Sequence, residues 1–408
     1  MTISTAPGET GRLVRWTHRE LDALAVSRPR VEALLRQVWQ RPGAVTLSLA
    51  AVTAAGFAAV VPGGDAGLFR EAGTGMMGHG FLQVFSDGTL QIGPLYLATV
   101  GALAWVLNLG GSPLLTRTVL AAAQAALLLW CALALVRRCA RREGLPEVGP
   151  QWAVGLMLAI GGFVAEAIGN GHPEEILVGL LLAHAALWVT EGRPALAGLA
   201  LGLGGGLKQW AAFGGGVVLL RRRWRDVLVA AGVALLVVAA LYGPFLLWGT
   251  VHTYDFRWGI DQRSLLGRVG ASWGLSDWGL RILQGGLAGL AGCVAAWRRP
   301  RSPLTPVAVA VAVRLLLDPL RLTYYSGPLV AVLATWAWTS RHPVVVRWRA
   351  PLTLLSPIMV LAPYLLPPDA TWAAGSVLLV AALASLAGAG YPRRARRSLL
   401  RPAVGADS

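Results

Sequence analysis

A long polar stretch runs from residue 65 to residue 94 and reads DAGLFREAGTGMMGHGFLQVFSDGTLQIGP. It lies between two apolar runs, and its ionisable side chains are Asp65, Arg70, Glu71, His79 and Asp87. A simple connection between two helices needs only a few residues. A loop of this length, with a carboxylate close to the end of the first apolar run, predicts a functional site. The alternative is a solvated loop that carries a surface amphipathic helix.

The composition around this loop is that of a membrane protein. The 408 residues are 55% hydrophobic and 14% charged, with a mean hydropathy of +0.58. A soluble protein of this length carries about a quarter charged residues. Several apolar runs reach or approach the ~20 residues that span a bilayer. The sequence therefore predicts an all-α, polytopic integral membrane protein.

The charge and the cysteines exclude other classes. A net charge of +16 in such a chain indicates basic cytoplasmic loops, not binding to nucleic acid. Cys131, Cys139 and Cys293 lie in or beside apolar runs without CxxC spacing, so they indicate neither a disulfide framework nor a zinc site. Residues 1–42 are too long and too charged for a cleaved signal peptide and are interpreted as a cytoplasmic tail.

We expect about 11–13 transmembrane helices within residues 43–390. Extracytoplasmic loops are predicted at 62–91 and 250–278, and a second basic cytoplasmic tail at 391–408. The predicted spans are 43–61, 92–108, 114–136, 152–168, 173–188, 195–220, 227–249, 279–296, 303–317, 322–339, 351–367 and 370–389.

The topology of the first four spans does not follow from the sequence. Counting from a cytoplasmic N-terminus places the basic cluster Arg137–Arg142 outside, against the positive-inside rule. Counting back from the C-terminus, with 195–220 as two half-helices that meet near Lys208, places this cluster inside but leaves one span too many. One early span is therefore predicted to be re-entrant or only partly crossing.

Ionisable groups near membrane spans are costly and tend to mark function. Four groups of residues stand out: Asp65; His172, Glu174 and Glu175; Lys208, Gln209 and Trp210; and Arg314, Asp318, Arg321, Tyr324 and Tyr325. Each has a structural alternative. Pro173 and the two glutamates suit the first turn of a helix, Lys208 could snorkel to the interface, and the last group could be an interfacial loop with an Asp–Arg pair.

The order of several short motifs resembles a known family. Asp65, Phe69 and Gly73 precede the segment Gly93–Tyr96, and Gly111–Arg117 follows. The next motif is Arg193–Lys208, which is followed by the basic cluster Arg221–Arg225 at the end of an apolar run. The last motif is Tyr324–Tyr325, at the start of one of the last predicted spans. Over residues 43–340 this order resembles the GT-C superfold glycosyltransferases, most closely glycosyltransferase family 87, the polyprenyl-phosphate-mannose-dependent mannosyltransferases, and its relatives. Asn170–Glu175 differs from the Asn-Gly-Gln-x-Asn type segment common there, which leaves the donor sugar open.

The resemblance implies an inverting transfer of a hexose, with mannose expected, from a polyprenyl-phosphate donor to a lipid or glycan acceptor. The site would face the extracytoplasmic side of a bacterial plasma membrane. Asp65 would be the general base, since a carboxylate at the membrane surface, with its pKa raised by partial desolvation, can take the acceptor proton. Donor phosphate would be bound by Lys208, Arg257 and Arg321. Sugar or lipid would contact His172, Glu174, Gln209, Trp210, Tyr324 and Tyr325.

No metal and no cofactor are expected beyond the sugar-lipid donor. The expected partners are the bilayer, the polyprenyl-phosphate sugar and a glycolipid or glycan acceptor, and not nucleic acid. Two other classes remain open. A transporter or flippase of lipid-linked sugar would favour paired repeats with broken helices, and no such repeat is visible. A scaffolding subunit would not need clustered ionisable groups in the loops after the first and fourth spans.

Overall fold

The structure is a computed structural model, and it describes residues 9–61, 63–108, 111–257 and 259–388. The predicted tail at 391–408 and the first eight residues lie outside the described residues. The described chain is helical throughout and contains no strand. This confirms the prediction of an all-α polytopic membrane protein.

Seventeen α-helices occur in the described residues, together with four short stretches of 3₁₀ helix. In chain order the α-helices are α1 Glu9–Ser27, α2 Pro29–Trp39, α3 Pro42–Val60, α4 Ala66–Met76, α5 Pro94–Asn108, α6 Pro113–Arg142, α7 Val148–Ile160, α8 Phe163–Gly169, α9 Pro173–Thr190, α10 Pro194–Leu207, α11 Trp224–Trp248, α12 Leu265–Trp273, α13 Asp277–Arg298, α14 Leu304–Leu317, α15 Gly327–Thr339, α16 Pro343–Leu365 and α17 Pro368–Gly388. The 3₁₀ helices are Phe81–Ser86, Gln209–Arg221, Thr253–Asp255 and Thr323–Ser326.

Proline marks where several of these helices begin, as at Pro42, Pro113, Pro173 and Pro194. Its fixed φ and missing N–H suit the first turn, where that N–H would have no helical partner. α6 also has a side-chain cap, because Ser112 accepts a hydrogen bond from the Leu115 N–H. Several predicted spans therefore start from a local sequence feature as well as an apolar run.

The helices run between two faces of the molecule. On the arginine face, which we define by Arg137–Arg142 and Arg221–Arg225, Arg142 donates to Thr190 and Arg341 to the Gly144 carbonyl. On the opposite face, the site face, the Asp65 N–H donates to the Asn170 carbonyl. Tyr364 on the same face donates to Glu166. These contacts place the ends of helices that are distant in sequence side by side on the same face.

Twelve segments of the described chain pass between the two faces. They are α3, α6, α7 with α8, α9, α10, the 3₁₀ helix Gln209–Arg221, α11, α13, α14, α15, α16 and α17. Seven helices are long and apolar enough to cross a bilayer by length and composition alone, with α7 and α8 taken as one. The remaining passes are short, contain proline or are 3₁₀ helices, and they lie against other helices.

The predicted crossing at 92–108 is wrong, because α5 begins and ends near the site face. At its start, the Gly93 N–H donates to the Leu207 carbonyl next to Lys208. At its end, Asn108 accepts a hydrogen bond from Thr116, and the neighbouring Arg117 reaches the Ala59 carbonyl at the end of α3. This geometry is consistent with the hypothesis of one early span that crosses only partly. If α5 is not counted as a crossing, counting from the N-terminus and counting from the C-terminus both place Arg137–Arg142 on the same side as the N-terminal tail.

α5 is held in this position by α4. A Cβ on Gly101 would lie 1.9 Å from the Gly73 carbonyl oxygen, so the two backbones touch at glycines. A larger residue at either position would separate α4 from α5. Because α4 starts directly after Asp65, this contact also sets where Asp65 lies.

The apolar segment 195–220 forms a hairpin with Lys208 at its tip. α10 runs from the arginine face to Leu207 at the site face, where the backbone of Lys208 is extended. The 3₁₀ helix then runs from Gln209 back to Arg221 on the arginine face. The expected meeting of two half-helices near Lys208 is confirmed. Gly198, Gly202 and Gly206 lie on one face of α10 against α11. Because glycine has no side chain, the two helices can pack closely there.

Candidate active site

Two backbone segments meet at Asp65. The Asp65 N–H donates to the Asn170 carbonyl at 3.1 Å. Gly171 has a φ of +84°, and a Cβ there would lie 2.3 Å from the Ala66 nitrogen. Only glycine fits this close approach with a left-handed backbone. The loop after α3 is therefore fixed against the loop before α9, which brings Asp65 to His172.

A chain of ionisable groups starts at Asp65. His172 Nε2 lies 3.0 Å from Asp65 Oδ2, and His172 Nδ1 lies 2.8 Å from Glu174 Oε1. The Asp65 side chain is 56% exposed and that of His172 is 8% exposed. One imidazole thus connects a half-exposed carboxylate to a fully buried one.

Lys208 and Arg314 neutralise the two buried glutamates. Lys208 Nζ lies 2.9 Å from Glu174 Oε1 and 2.8 Å from Glu175 Oε1. Arg314 Nη1 lies 2.9 Å from Glu175 Oε2. Both glutamate side chains are 0% exposed. Buried charges persist only when they are paired in this way, so the first turn of α9, the α10 hairpin and α14 depend on one another.

Aromatic rings enclose these charges. The Arg314 guanidinium lies 4.4 Å from the centroid of Trp210 and 4.8 Å from that of Tyr325, a favourable cation–π geometry. The His172 ring stacks on Tyr324 with centroids 4.4 Å apart. The rings exclude water from the ion pairs and fix the orientation of the imidazole.

The protonation states follow from these neighbours. The expected rise in the pKa of Asp65 is wrong: the hydrogen bond from His172 holds that pKa below its usual value, because it outweighs the effect of partial burial. Burial and the Lys208 ammonium lower the pKa of His172, but Glu174 and Asp65 outweigh them and raise it above its usual value. Asp65 is therefore ionised, and the imidazolium that donates to both carboxylates is favoured.

A second buried pair borders the same region. Arg281 Nη1 lies 2.7 Å from Asp318 Oδ1, and Gln284 Nε2 donates to Asp318 Oδ2 at 2.9 Å. Sequence reasoning missed Arg281 and Gln284. They lie three residues apart on one face of α13, and polar residues at this spacing in an apolar span were the signal that could have found them.

A cavity of about 330 Å³ opens beside these groups on the site face. Seven of the predicted site residues line it: Asp65, His172, Lys208, Gln209, Trp210, Tyr324 and Tyr325. Arg281, Gln284 and Arg314 also line it. Residues separated by more than two hundred positions in the chain thus line the same cavity.

The structure does not bring the other predicted residues to the cavity surface. Glu174 lies behind His172 and Lys208. Arg257 is exposed in the loop after α11, next to the lining residue Phe256. Arg321 faces away: it donates to the Trp372 carbonyl and lies over the Trp372 ring. Since Leu320 and Leu322 line the cavity instead, the geometry does not support a phosphate contact for Arg321.

Two buried polar atoms beside the cavity lack a hydrogen-bond partner among the described residues. They are Trp210 Nε1 and Glu174 Oε2. Such atoms are costly unless something binds them. Trp210 lines the cavity, whereas Glu174 does not.

An apolar cavity of about 570 Å³ adjoins the first. It lies between α10, the 3₁₀ helix Gln209–Arg221 and α11, and Gln209 and Tyr254 line both cavities. We call it the apolar groove. α11 is largely unburied in the protein, so the groove borders the lipid phase.

The comparison with protein families decides the identity. The model of glycosyltransferase family 87 matches residues 93–319, over half of the chain. The chain belongs to glycosyltransferase family 87. It is a membrane glycosyltransferase, and the expected GT-C architecture is consistent with its fold. No curated protein matches the chain.

The residues of this glycosyltransferase that match the family model include the start of α9, the α10 hairpin and the region Arg314–Asp318. Asp65 and the pair Tyr324–Tyr325 lie outside the matched residues. Their place in the site comes from the structure, which joins them to matched residues through His172 and Arg314.

Proposed function

We propose that this enzyme transfers a hexose, with mannose as the first candidate, from polyprenyl phosphate to a hydroxyl of a lipid or glycan acceptor, with inversion. The observation that carries the proposal is the contrast among the carboxylates of the site. Asp65 is 56% exposed at the cavity, whereas Glu174, Glu175 and Asp318 are 0% exposed and ion-paired. Asp65 is thus the site carboxylate that an acceptor hydroxyl can reach.

Asp65 is proposed as the general base. Its Oδ2 accepts the hydrogen bond from His172, which leaves Oδ1 to take the acceptor proton. The oxygen of the acceptor would then attack the anomeric carbon from the face opposite the phosphate. A single displacement of this kind inverts the anomeric configuration. His172 is proposed to orient Asp65 and to stabilise its ionised form.

Lys208 is proposed to stabilise the leaving phosphate. An ammonium group has three donors, and two of them reach Glu174 and Glu175. Nζ also lies 3.4 Å from His172 Nδ1, but the favoured imidazolium cannot accept a hydrogen bond there. The third donor is therefore proposed to serve a phosphate oxygen in the cavity that Lys208 lines. As the glycosidic bond breaks, the phosphate gains negative charge, and a preorganised cation favours that state. Arg257, in the adjoining loop, is the second proposed cation.

The apolar groove is proposed to hold the polyprenyl chain. It shares Gln209 and Tyr254 with the site cavity, so a lipid in the groove would present its phosphate near Lys208. Trp210, Tyr324 and Tyr325 supply flat surfaces for the sugar, and the indole N–H of Trp210 supplies a donor. His172 lines the cavity and could orient sugar hydroxyls, whereas Glu174 would act only through its contact with His172.

The arginine face is proposed to be cytoplasmic, because basic residues concentrate on that side of membrane proteins. Both predicted basic tails then belong to the cytoplasm, and the site faces the extracytoplasmic side of a bacterial plasma membrane. Family membership favours an enzyme over the transporter and scaffold alternatives.

The test is transfer of radiolabelled mannose from polyprenyl phosphate in liposomes that contain the purified protein and a total glycolipid extract. The variant is Asp65→Asn, and the matched control is Asp87→Asn, which changes an exposed carboxylate in the same loop. Loss of a general base lowers the rate by about 10²–10⁴-fold. We expect that loss for Asp65→Asn and near-normal transfer for Asp87→Asn.

Three results would change the proposal. Equal transfer by Asp65→Asn and the wild type would remove Asp65 as the base. Transfer of glucose or arabinose but not mannose would correct the sugar. If no donor were used but labelled donor crossed the bilayer, the flippase alternative would replace the transfer reaction.

A further inference from the structure

A second large cavity, of about 720 Å³, opens on the arginine face. It lies on the opposite side of the membrane domain from Asp65, and the proposed reaction does not use it. The ends of α6, α9, α13, α14, α15 and α17 form its walls. We call it the basic cavity. Its volume lies within the range of about 300–1,000 Å³ that is typical of ligand pockets.

The basic cavity has an excess of positive charge. Its lining includes one carboxylate, Glu143, and five arginines: Arg142, Arg222, Arg298, Arg299 and Arg301. Among the described residues, none of these five forms an ion pair. Neighbouring arginines of the same face do so, since Arg138 pairs with Glu191 and Arg141 with Glu147. The cavity therefore has more arginines than carboxylates, although Arg222 and Arg299 also donate to the carbonyls of Trp297 and Ala387.

The positive-inside rule explains arginines at helix ends, but it does not explain why five converge on one concavity. A further feature indicates a ligand there. His342 lines the cavity, and its Nδ1 is enclosed without a hydrogen-bond partner among the described residues. An oxygen-rich anion would supply that partner.

The remaining walls combine polar and apolar side chains. Leu187, Leu304, Trp336 and Leu386 line the cavity beside the arginines. α17, at its edge, is largely unburied by the protein and so borders lipid. A free inorganic ion would gain nothing from these walls, whereas a phospholipid would place its phosphate at the arginines and its acyl chains along them.

We propose that the basic cavity binds the phosphate group of an anionic phospholipid from the leaflet at the arginine face. Basic pockets between membrane helices suit such headgroups, because each arginine near the phosphate adds to the attraction. The bound lipid would join the ends of α13 and α17 and stabilise the folded enzyme. This site is independent of the proposed transfer reaction.

The test uses the purified full chain in detergent and native mass spectrometry with two probes, dioleoyl phosphatidylglycerol and dioleoyl phosphatidylcholine. The variant is Arg298→Gln with Arg301→Gln, two exposed arginines of the cavity. The matched control is Arg223→Gln with Arg225→Gln, two exposed arginines of the same face outside the cavity lining. We expect the wild type and the control to prefer the anionic lipid by about tenfold or more, and the variant to lose this preference.

A second arm separates lipid from soluble phosphate. Thermal unfolding is followed with phosphatidylglycerol or with inorganic phosphate, and the melting temperature without additive reports whether each variant folds. Stabilisation of the wild type by phosphatidylglycerol alone supports the proposal. Stabilisation by inorganic phosphate without lipid preference would overturn the lipid assignment. Equal loss of lipid preference in the control would overturn the site, because the charge of the whole face would then explain binding.

Discussion

His172 Nε2 lies 3.0 Å from Asp65 Oδ2, although the two residues are 107 positions apart in the chain. The contact joins the loop after α3 to the start of α9 and, through Glu174, to Lys208 at the tip of the α10 hairpin. The exposed carboxylate is therefore positioned by the buried ion pairs. Changes to that buried network should alter Asp65 even when they do not touch the cavity.

The first prediction concerns pH. His172→Gln removes the hydrogen bond that lowers the pKa of Asp65, so the pKa of Asp65 should rise. Asp65 would then become protonated at a higher pH, and the acid limb of the kcat/KM profile for sugar transfer should move to higher pH. The exposed His79→Gln in the same loop is the control and should keep the wild-type profile. If the acid limb of the kcat/KM profile does not move in His172→Gln, His172 does not control the pKa of Asp65.

The second prediction concerns the buried pair Glu175–Arg314. Glu175→Gln leaves the Arg314 guanidinium buried without its carboxylate, and breaking such a pair costs about 3–5 kcal/mol. We expect this loss in the free energy of unfolding, measured by denaturant titration in micelles.

The double variant Glu175→Gln with Arg314→Met is the control for that pair. It removes the stranded charge, so it should be less destabilised than Glu175→Gln alone. If the double variant is the less stable of the two, the pair is not the source of the loss.

The third prediction concerns the contact between α4 and α5. A Cβ on Gly101 would lie 1.9 Å from the Gly73 oxygen, whereas a Cβ on Gly75 would meet nothing within 4 Å. Gly101→Ala should cost about 1–3 kcal/mol, as overpacking does, and should reduce transfer because α4 carries Asp65 at its start. Gly75→Ala is the matched control and should retain both stability and transfer. Full activity in a stable Gly101→Ala would show that Asp65 does not depend on this contact.

The fourth prediction concerns the topology of α5. Single cysteines at His79, Ser112 and Glu143 are introduced after replacement of the three native cysteines. If α5 starts and ends on the site face, an impermeant maleimide applied to intact cells should label positions 79 and 112. Position 143, on the arginine face, should be labelled only after permeabilisation. Labelling of position 112 together with position 143 would mean that α5 crosses the membrane.

Much of the site could be predicted from residue types alone. An ionisable side chain at the end of an apolar run is costly, which drew attention to Asp65, His172 and Lys208 without any knowledge of their contacts. Arg281 and Gln284 were missed because they lie inside the predicted span 279–296, away from the polar loops and span ends where the other residues were found. Arg321 illustrates the opposite error: its neighbours in sequence line the cavity, but its own side chain contacts Trp372 of α17.

The sequence by itself determined the helical membrane architecture, since apolar runs of this length leave no other way to satisfy backbone hydrogen bonds in lipid. It also indicated where several helices begin, through proline and the polar breaks, and it offered a break near Lys208 as one of two ways to count the spans. Tertiary structure alone decided that α5 does not cross, because an apolar helix of 15 residues is compatible with either outcome. Tertiary structure also decided which charges meet, since pairs such as Asp65–His172 and Glu175–Arg314 depend on how distant helices pack.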